Sequence, residues 1–308
     1  MNKKLIALAV AAVASTSVSA AEIFNDGTSS LSIGGRAEAR ASIIDGDMAD
    51  ASRVRINVLG TTQISEDAYG VGFFEREFKT DENKDENRYI YAGIGSQYGL
   101  VTYGLNDGSL GIITDFTDIM AYHGAAASGK ILVADRTDNN IAYVGEFGGL
   151  TVKANYVGTN TDKDVDNGYS AAATYAMENG VAFGLGYAAQ DNLNNTDEDQ
   201  IEAAVSYAFG DIYVAALYNT GEVANQDVDG YELAAAYSMG NTTFTTTYGN
   251  KEKADKEVAN ALAIDATHFF NDNFRAYVSY NFNMLDADQV ANAKDAEDEL
   301  ALGLRYDF

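Results

Sequence analysis

The chain ends on a strand. Leu300, Leu302, Leu304, Tyr306 and Phe308 alternate with Ala301, Gly303, Arg305 and Asp307, and successive strand side chains point to opposite faces. One face is therefore apolar and the other small or charged. Left unpaired in water, such an edge invites aggregation. Pairing the last strand with the first, with lipid outside and water inside, removes the edge. That is the physics of a transmembrane β-barrel.

The same alternation runs back through the chain. Leu150, Val152, Ala154 and Tyr156 oppose Thr151, Lys153 and Asn155; Phe274, Ala276, Val278, Tyr280 and Phe282 oppose Arg275, Ser279, Asn281 and Asn283. No stretch shows helical periodicity of useful length. The connections fall into two alternating kinds. Short ones lie at 67–70, 97–99, 148–149, 179–180, 210–211, 240–241 and 271–273, where Gly or Asn accepts positive φ. Longer, acidic ones lie at 45–50, 81–86, 159–167, 191–199, 222–229, 251–257 and 286–298. Counting hairpins predicts an all-β, antiparallel barrel of about sixteen strands, the first over 30–44 and the last over 298–308. A β-sandwich also alternates, but so many apolar faces could not share one dry core. A ring of that size encloses an aqueous lumen instead.

The front of the chain points to export. Lys3 and Lys4 precede an apolar run from Leu5 to Val13, and Val18-Ser19-Ala20 is a small-residue cleavage site. Residues 1–20 are expected to be a signal peptide, leaving 21–308 as one barrel. The apolar run is shorter than the roughly 20 residues a membrane helix needs. Cleavage would remove two lysines and take the formal charge from −26 to −28. Phosphate repels such a charge, so nucleic acid is no natural partner. The absence of Cys excludes disulfides and thiolate metal sites. The 20 Tyr suit a membrane-interface belt.

One connection does not fit. Residues 107–139 are far longer than any other loop and carry Leu110, Ile112, Ile113, Phe116, Ile119, Met120 and Tyr122. A long loop with its own apolar residues needs something to pack against, and the inside wall of a barrel can supply it. The expectation is a segment folded into the lumen and narrowing it, with Asp115 and Asp118 at the narrowing. Arg36, Glu38 and Arg40 share one face of the first strand, and Arg53 and Arg55 one face of the second. An Arg facing lipid at mid-membrane costs about 2–4 kcal/mol, so these face water. That they merely form ion pairs with Glu38, Glu75 and Glu77, and select nothing, is the plainer alternative. Arg76, between Phe74 and Phe78 on an outward face, hints at a subunit contact.

Other motifs carry less. Asp162 to Gly168 resembles the start of a calcium loop, but the glycine is one place late and position twelve is Ala173. No metal or cofactor is expected. His123 lies five positions from Asp118, and His268 sits beside Phe269 and Phe270 in a girdle position. No nucleophile motif accompanies either histidine, so no catalytic residue is assigned. A non-conducting structural barrel would need a plug, and no extra domain marks one.

Together these features resemble the Gram-negative general porins, most closely the OmpU-like porins of Vibrio-type bacteria. The resemblance spans the mature chain and rests on Gly34-Gly-Arg-Ala-Glu-Ala-Arg40, Arg88 to Gly95, Val101 to Gly108, Thr114 to Met120 and Glu297 to Phe308. It implies a homotrimer of sixteen-stranded barrels in outer-membrane lipid and lipopolysaccharide, passing small hydrophilic solutes. It also implies an acidic cluster on the third loop facing basic residues on the wall. The basic positions carry over to Arg36, Arg55, Arg88 and Arg136, with Arg40 beside them, and the acidic one to Asp118. Where enterobacterial members carry Pro-Glu-Phe-Gly-Gly, this chain reads Ala121-Tyr-His-Gly-Ala125. A second loop carboxylate is missing there, and whether Asp115 replaces it stays open. Acid facing guanidinium across a narrow, low-dielectric passage makes a transverse field that favours dipolar solutes. The net charge and acidic mouth favour cations, less so at high salt, while the arginines pull the other way.

Overall fold

The computed structural model describes residues 20–80, 85–194, 196–286, 290 and 296–308. Apart from Ala20, the expected signal peptide lies outside the described residues, as do parts of the acidic stretches 81–86 and 286–298. Eighteen strands are described: β1 (Ala21–Asn25), β2 (Ser29–Ile44), β3 (Asp47–Asp50), β4 (Arg53–Gln63), β5 (Ala68–Lys79), β6 (Glu86–Ser96), β7 (Gly99–Asp107), β8 (Arg136–Phe147), β9 (Leu150–Val157), β10 (Val165–Ala176), β11 (Val181–Asn192), β12 (Asp197–Phe209), β13 (Ile212–Glu222), β14 (Asp227–Met239), β15 (Thr242–Lys253), β16 (Lys256–Phe269), β17 (Phe274–Asn283) and β18 (Glu299–Asp307).

Sixteen of them close a ring. β2 pairs with β4, each strand from β4 onward pairs antiparallel with its successor, and β18 returns to β2. At this seam the Gly35 amide donates to the Phe308 carbonyl at 2.8 Å, and the Phe308 amide to Gly35 at 3.0 Å. β18 covers the edge of β2 from Ile44 to Arg36; below it β1 takes the same edge from Ile33 to Ser30. No edge is left open at the seam, which removes the liability of the apolar C-terminal strand. β3 extends the β2 hairpin beyond the ring.

The two faces differ as the alternation predicts. On β11, Phe183, Leu185 and Tyr187 are exposed, Leu185 by 62%, while Gly184, Ala188 and Gln190 are buried on the other face. Exposed tyrosines mark both ends of the apolar band: Tyr169 and Tyr175 on β10, and Tyr231 and Tyr237 on β14. Six residues of strand separate the members of each pair, about 20 Å along the strand. Aromatic rings at both borders of an apolar band fit the two membrane interfaces.

The short connections fall where the turn residues place them except the first, which is 64–67 rather than 67–70, because β5 already begins at Ala68. The longer ones need correction. The β11–β12 ladder continues to Asp191 and Asp197, leaving 193–196 as the connection rather than 191–199. The β13–β14 connection is 223–226, and β15–β16 turns on Ala254 and Asp255 alone, both at positive φ. Above the membrane, water solvates both faces of a hairpin, so acidic side chains do not end the ladder. The long connection likewise spans 108–135, because β8 begins at Arg136. It contains helix α1 (Gly111–Thr114) and a single 3-10 turn, Leu132–Ala134.

Candidate functional site in the lumen

The polar face of β2, β4, β5 and β6 carries a row of arginines interleaved with carboxylates. Register sets Arg36 opposite Arg55, Glu38 opposite Arg53, and Arg55 opposite Glu77. Arg53 Nε donates to Glu38 at 2.7 Å and Arg53 Nη1 to Glu77 at 3.4 Å; Arg55 pairs with the same Glu77, and Lys79 lies 3.2 Å from it. Arg88 donates to Glu75 at 3.0 Å and to Glu86 at 3.2 Å, and Arg136 reaches Glu86 at 3.5 Å. The Tyr277 hydroxyl adds a bond to Glu38 at 3.0 Å. Glu38, Glu75 and Glu77 are buried; a buried carboxylate persists only when paired and hydrogen-bonded.

Four of the five expected basic residues, Arg36, Arg55, Arg88 and Arg136, therefore belong to one belt, with Arg53 as a further member. Arg40 stands apart. Its Nε donates to the Ala51 carbonyl at 2.9 Å, and its guanidinium lies 5.1 Å over the Tyr122 ring. The ion pairs of the plainer alternative do form, yet Arg36, Arg53, Arg55 and Arg88 each keep 14–17% of the side chain exposed.

Segment 108–135 packs against the same polar face, on the far strands. Leu110 and Ile113 are fully buried against Ala172, Ala188, Ala204, Ala215 and Ala234 of β10 to β14. Glycine completes this recess: a Cβ at Gly184 would stand 2.8 Å from Ile113, and one at Gly186 would overlap Leu110. Wall side chains hold the backbone. Gln200 accepts the Ile131 amide at 2.9 Å and donates to the Gly129 carbonyl at 2.7 Å; Gln190 accepts the Val133 amide at 3.2 Å. Glu232 accepts the Thr117 hydroxyl at 2.5 Å and the Ala127 and Ser128 amides at 2.7 and 3.1 Å, tying both arms of the segment together.

Asp115 and Asp118 project from this segment, open to solvent. Among the described residues no ion pair within 4 Å joins either one to an arginine. Burial within the surrounding barrel raises both above the ordinary carboxylate range, moderated by Lys153 and Lys130 beside Asp115 and by Lys130 beside Asp118. Asp115 and Asp118 thus have no arginine partner, while Arg53, Arg55, Arg88 and Arg136 of the wall are paired with wall glutamates.

The anchoring residues Gln190, Gln200 and Glu232 escape notice in the sequence. Their signal was the break in composition on one face: inward Ala, Gly, Gln and Glu on β10 to β14 alternate with outward Tyr and Leu. Arg76 stands on the exposed face as expected, donating to Asn87 at 2.9 Å beside Phe78. His123 lies away from any Asp118 pairing; its Nδ1 is 2.8 Å from Ser279 Oγ and its Nε2 3.3 Å from Glu299. Ser279 is fully buried, which keeps its hydroxyl from a substrate.

A closed ring of sixteen strands, apolar outside and charged inside, defines a channel-forming barrel of the outer membrane. The pattern of the Gram-negative porin family matches residues 7–308, and the chain belongs to that family. Porin-like protein L of Photobacterium profundum is 51% identical, and outer membrane protein U of Vibrio parahaemolyticus 49% identical, each over the whole of both chains. Among solved structures, Salmonella typhi OmpF in complex with daunomycin superposes with a TM-score of 0.83 at 22% identity, over 94% of this chain and all of that one. The protein is an outer-membrane general diffusion porin; family and fold point to a channel rather than to an enzyme.

Proposed function

We propose that segment 108–135 lies across the lumen and narrows it, with Asp115 and Asp118 on one side of the passage and Arg36, Arg40, Arg55, Arg88 and Arg136 on the other. Small hydrophilic solutes and ions cross it passively, cations preferred. The observation that carries this reading is the difference in pairing. The arginine belt shares Glu38, Glu75, Glu77 and Glu86, so much of its charge is balanced locally, whereas Asp115 and Asp118 have no such arginine partner. The field in the passage is then dominated by acid, and a ring of acid selects cations.

The working unit in this reading is a homotrimer, a form recorded for Vibrio cholerae OmpT, which shares the fold. Arg76 with Phe74 and Phe78 suits a subunit contact, because lipid would not tolerate the guanidinium. Residues 1–20 act as the export signal, and the acidic loops meet lipopolysaccharide. Liposome swelling with neutral sugars of increasing size tests the narrowing. Replacing residues 112–130 with a short Gly-Ser hairpin should admit larger sugars; an unchanged size limit would contradict the proposal.

A further inference from the structure

The tip of the inserted segment is held by a side-chain cluster that solute passage does not use. His123 Nδ1 lies 2.8 Å from the Ser279 hydroxyl on β17, and Nε2 lies 3.3 Å from Glu299 on β18. Glu299 also accepts the Ser42 hydroxyl of β2 at 2.5 Å and stands beside the Tyr122 hydroxyl. Arg40 of β2 covers the Tyr122 ring at 5.1 Å. Asp265 of β16 stands beside the Ala121 amide, Ser279 and His123. Every strand from β16 round the seam to β2 therefore sends a polar group to residues 121–123.

The groups facing the imidazole are two carboxylates, Glu299 and Asp265, one hydroxyl, Ser279, and the neighbouring Tyr122. The nearby cation, Arg40, is engaged with Tyr122 and with the Ala51 carbonyl. A neutral ring carries one donor and one acceptor, so it meets Glu299 without charge. A protonated ring donates from both nitrogens and sets a full positive charge against Glu299. Imidazole is the side chain that ordinarily makes this change between pH 5 and 8.

We propose that His123 is a positioning residue whose protonation fastens the tip of the segment to β17 and β18, and whose deprotonation loosens it. The inference rests on the reading of 108–135 as the narrowing of the pore, and adds to it a proton-dependent hold. As pH falls, the tip is gripped more firmly and the open passage fluctuates less.

The chain has no Cys, so Ala125→Cys, an exposed position two residues beyond His123, gives a single spin-label site in the full-length protein folded in vesicles. The expected result is a shift of the label spectrum towards the immobilised form as pH is lowered from about 8 to about 5. His123→Gln, which keeps an uncharged amide within reach, should lose the shift. Glu299→Gln should lose most of it while the barrel stays heat-modifiable. A label insensitive to pH, or a shift that survives in His123→Gln, would overturn the proposal. The swelling assay separates the two readings, since an unchanged size limit on shortening the loop strikes at the narrowing while the label spectrum still reports the hold.

Discussion

Arg36 on β2 stands directly opposite Arg55 on β4, two guanidiniums side by side across neighbouring strands. Like charges in that register repel. The pair persists because Glu77 binds Arg55 and Glu38 lies near Arg36, but the neutralisation is unequal. Glu38 is 4.0 Å from Arg36, and Arg36 Nε has no hydrogen-bond partner among the described residues. Arg36 is therefore the least balanced charge of the belt. Arg36→Gln should move the reversal potential under a salt gradient towards stronger cation preference, with little change in heat-modifiability. An unmoved reversal potential would place Arg36 outside the field that ions feel.

Glu77 is the hub of the belt, with Arg53, Arg55 and Lys79 all within ion-pair distance. Removing one member of a buried pair leaves uncompensated charge and costs about 3–5 kcal/mol. Glu77→Ala should lower the temperature at which the folded band is lost in gel-shift assays, and Glu77→Gln should lower it less. Equal melting of wild type and Glu77→Ala would show that water, rather than Glu77, carries those cations.

The architecture was legible in the sequence because a membrane barrel writes period-two alternation on every strand. The final strand, Leu300 to Phe308, showed closure before any pairing was known. The acidic stretches misled at 191–199, 222–229 and 251–257, since charge marks solvation and says nothing of where a ladder ends. In the site, Arg36 and Arg55 were readable because guanidinium is costly on a lipid face, whereas Arg88 and Arg136 came only with the resemblance to the porins. The partners of the inserted segment were not, because Gln190, Gln200 and Glu232 reveal their role only once non-local strands stand beside the loop. The role of His123 is hidden for the same reason: Ser279 and Glu299 are more than 150 residues away.

Glu232 ties the two arms of the inserted segment through Thr117, Ala127 and Ser128. Hydrogen bonds to a charged group are worth about 1.5–3 kcal/mol each. Glu232→Ala should free the segment and raise open-channel current noise. Glu232→Gln keeps an acceptor for both amides and a donor for the Thr117 oxygen, so it should behave close to wild type. Equal noise in Glu232→Ala and wild type would mean that the alanine-lined recess alone holds the segment.

Asp115 and Asp118 have pKa values raised by burial, so both take up protons at higher pH than a free carboxyl does. The folded chain binds those protons more tightly than the unfolded one. These groups therefore add stability as pH falls through their raised values and withdraw it as pH rises. Ion preference follows the charge instead: cation preference should weaken on acidification, and these two groups contribute a step at higher pH than free carboxyls do. Asp115→Asn with Asp118→Asn should remove that early step. Its persistence in the double variant would assign it to other carboxyls.

The most direct test is the reversal potential of single channels in a planar bilayer under a potassium chloride gradient, comparing wild type with the Asp115→Asn, Asp118→Asn variant. The account predicts conductance steps in groups of three, a wild-type potential favouring potassium, and a marked loss of that preference in the variant. A wild-type potential favouring chloride, or one that the double substitution leaves unchanged, would contradict it.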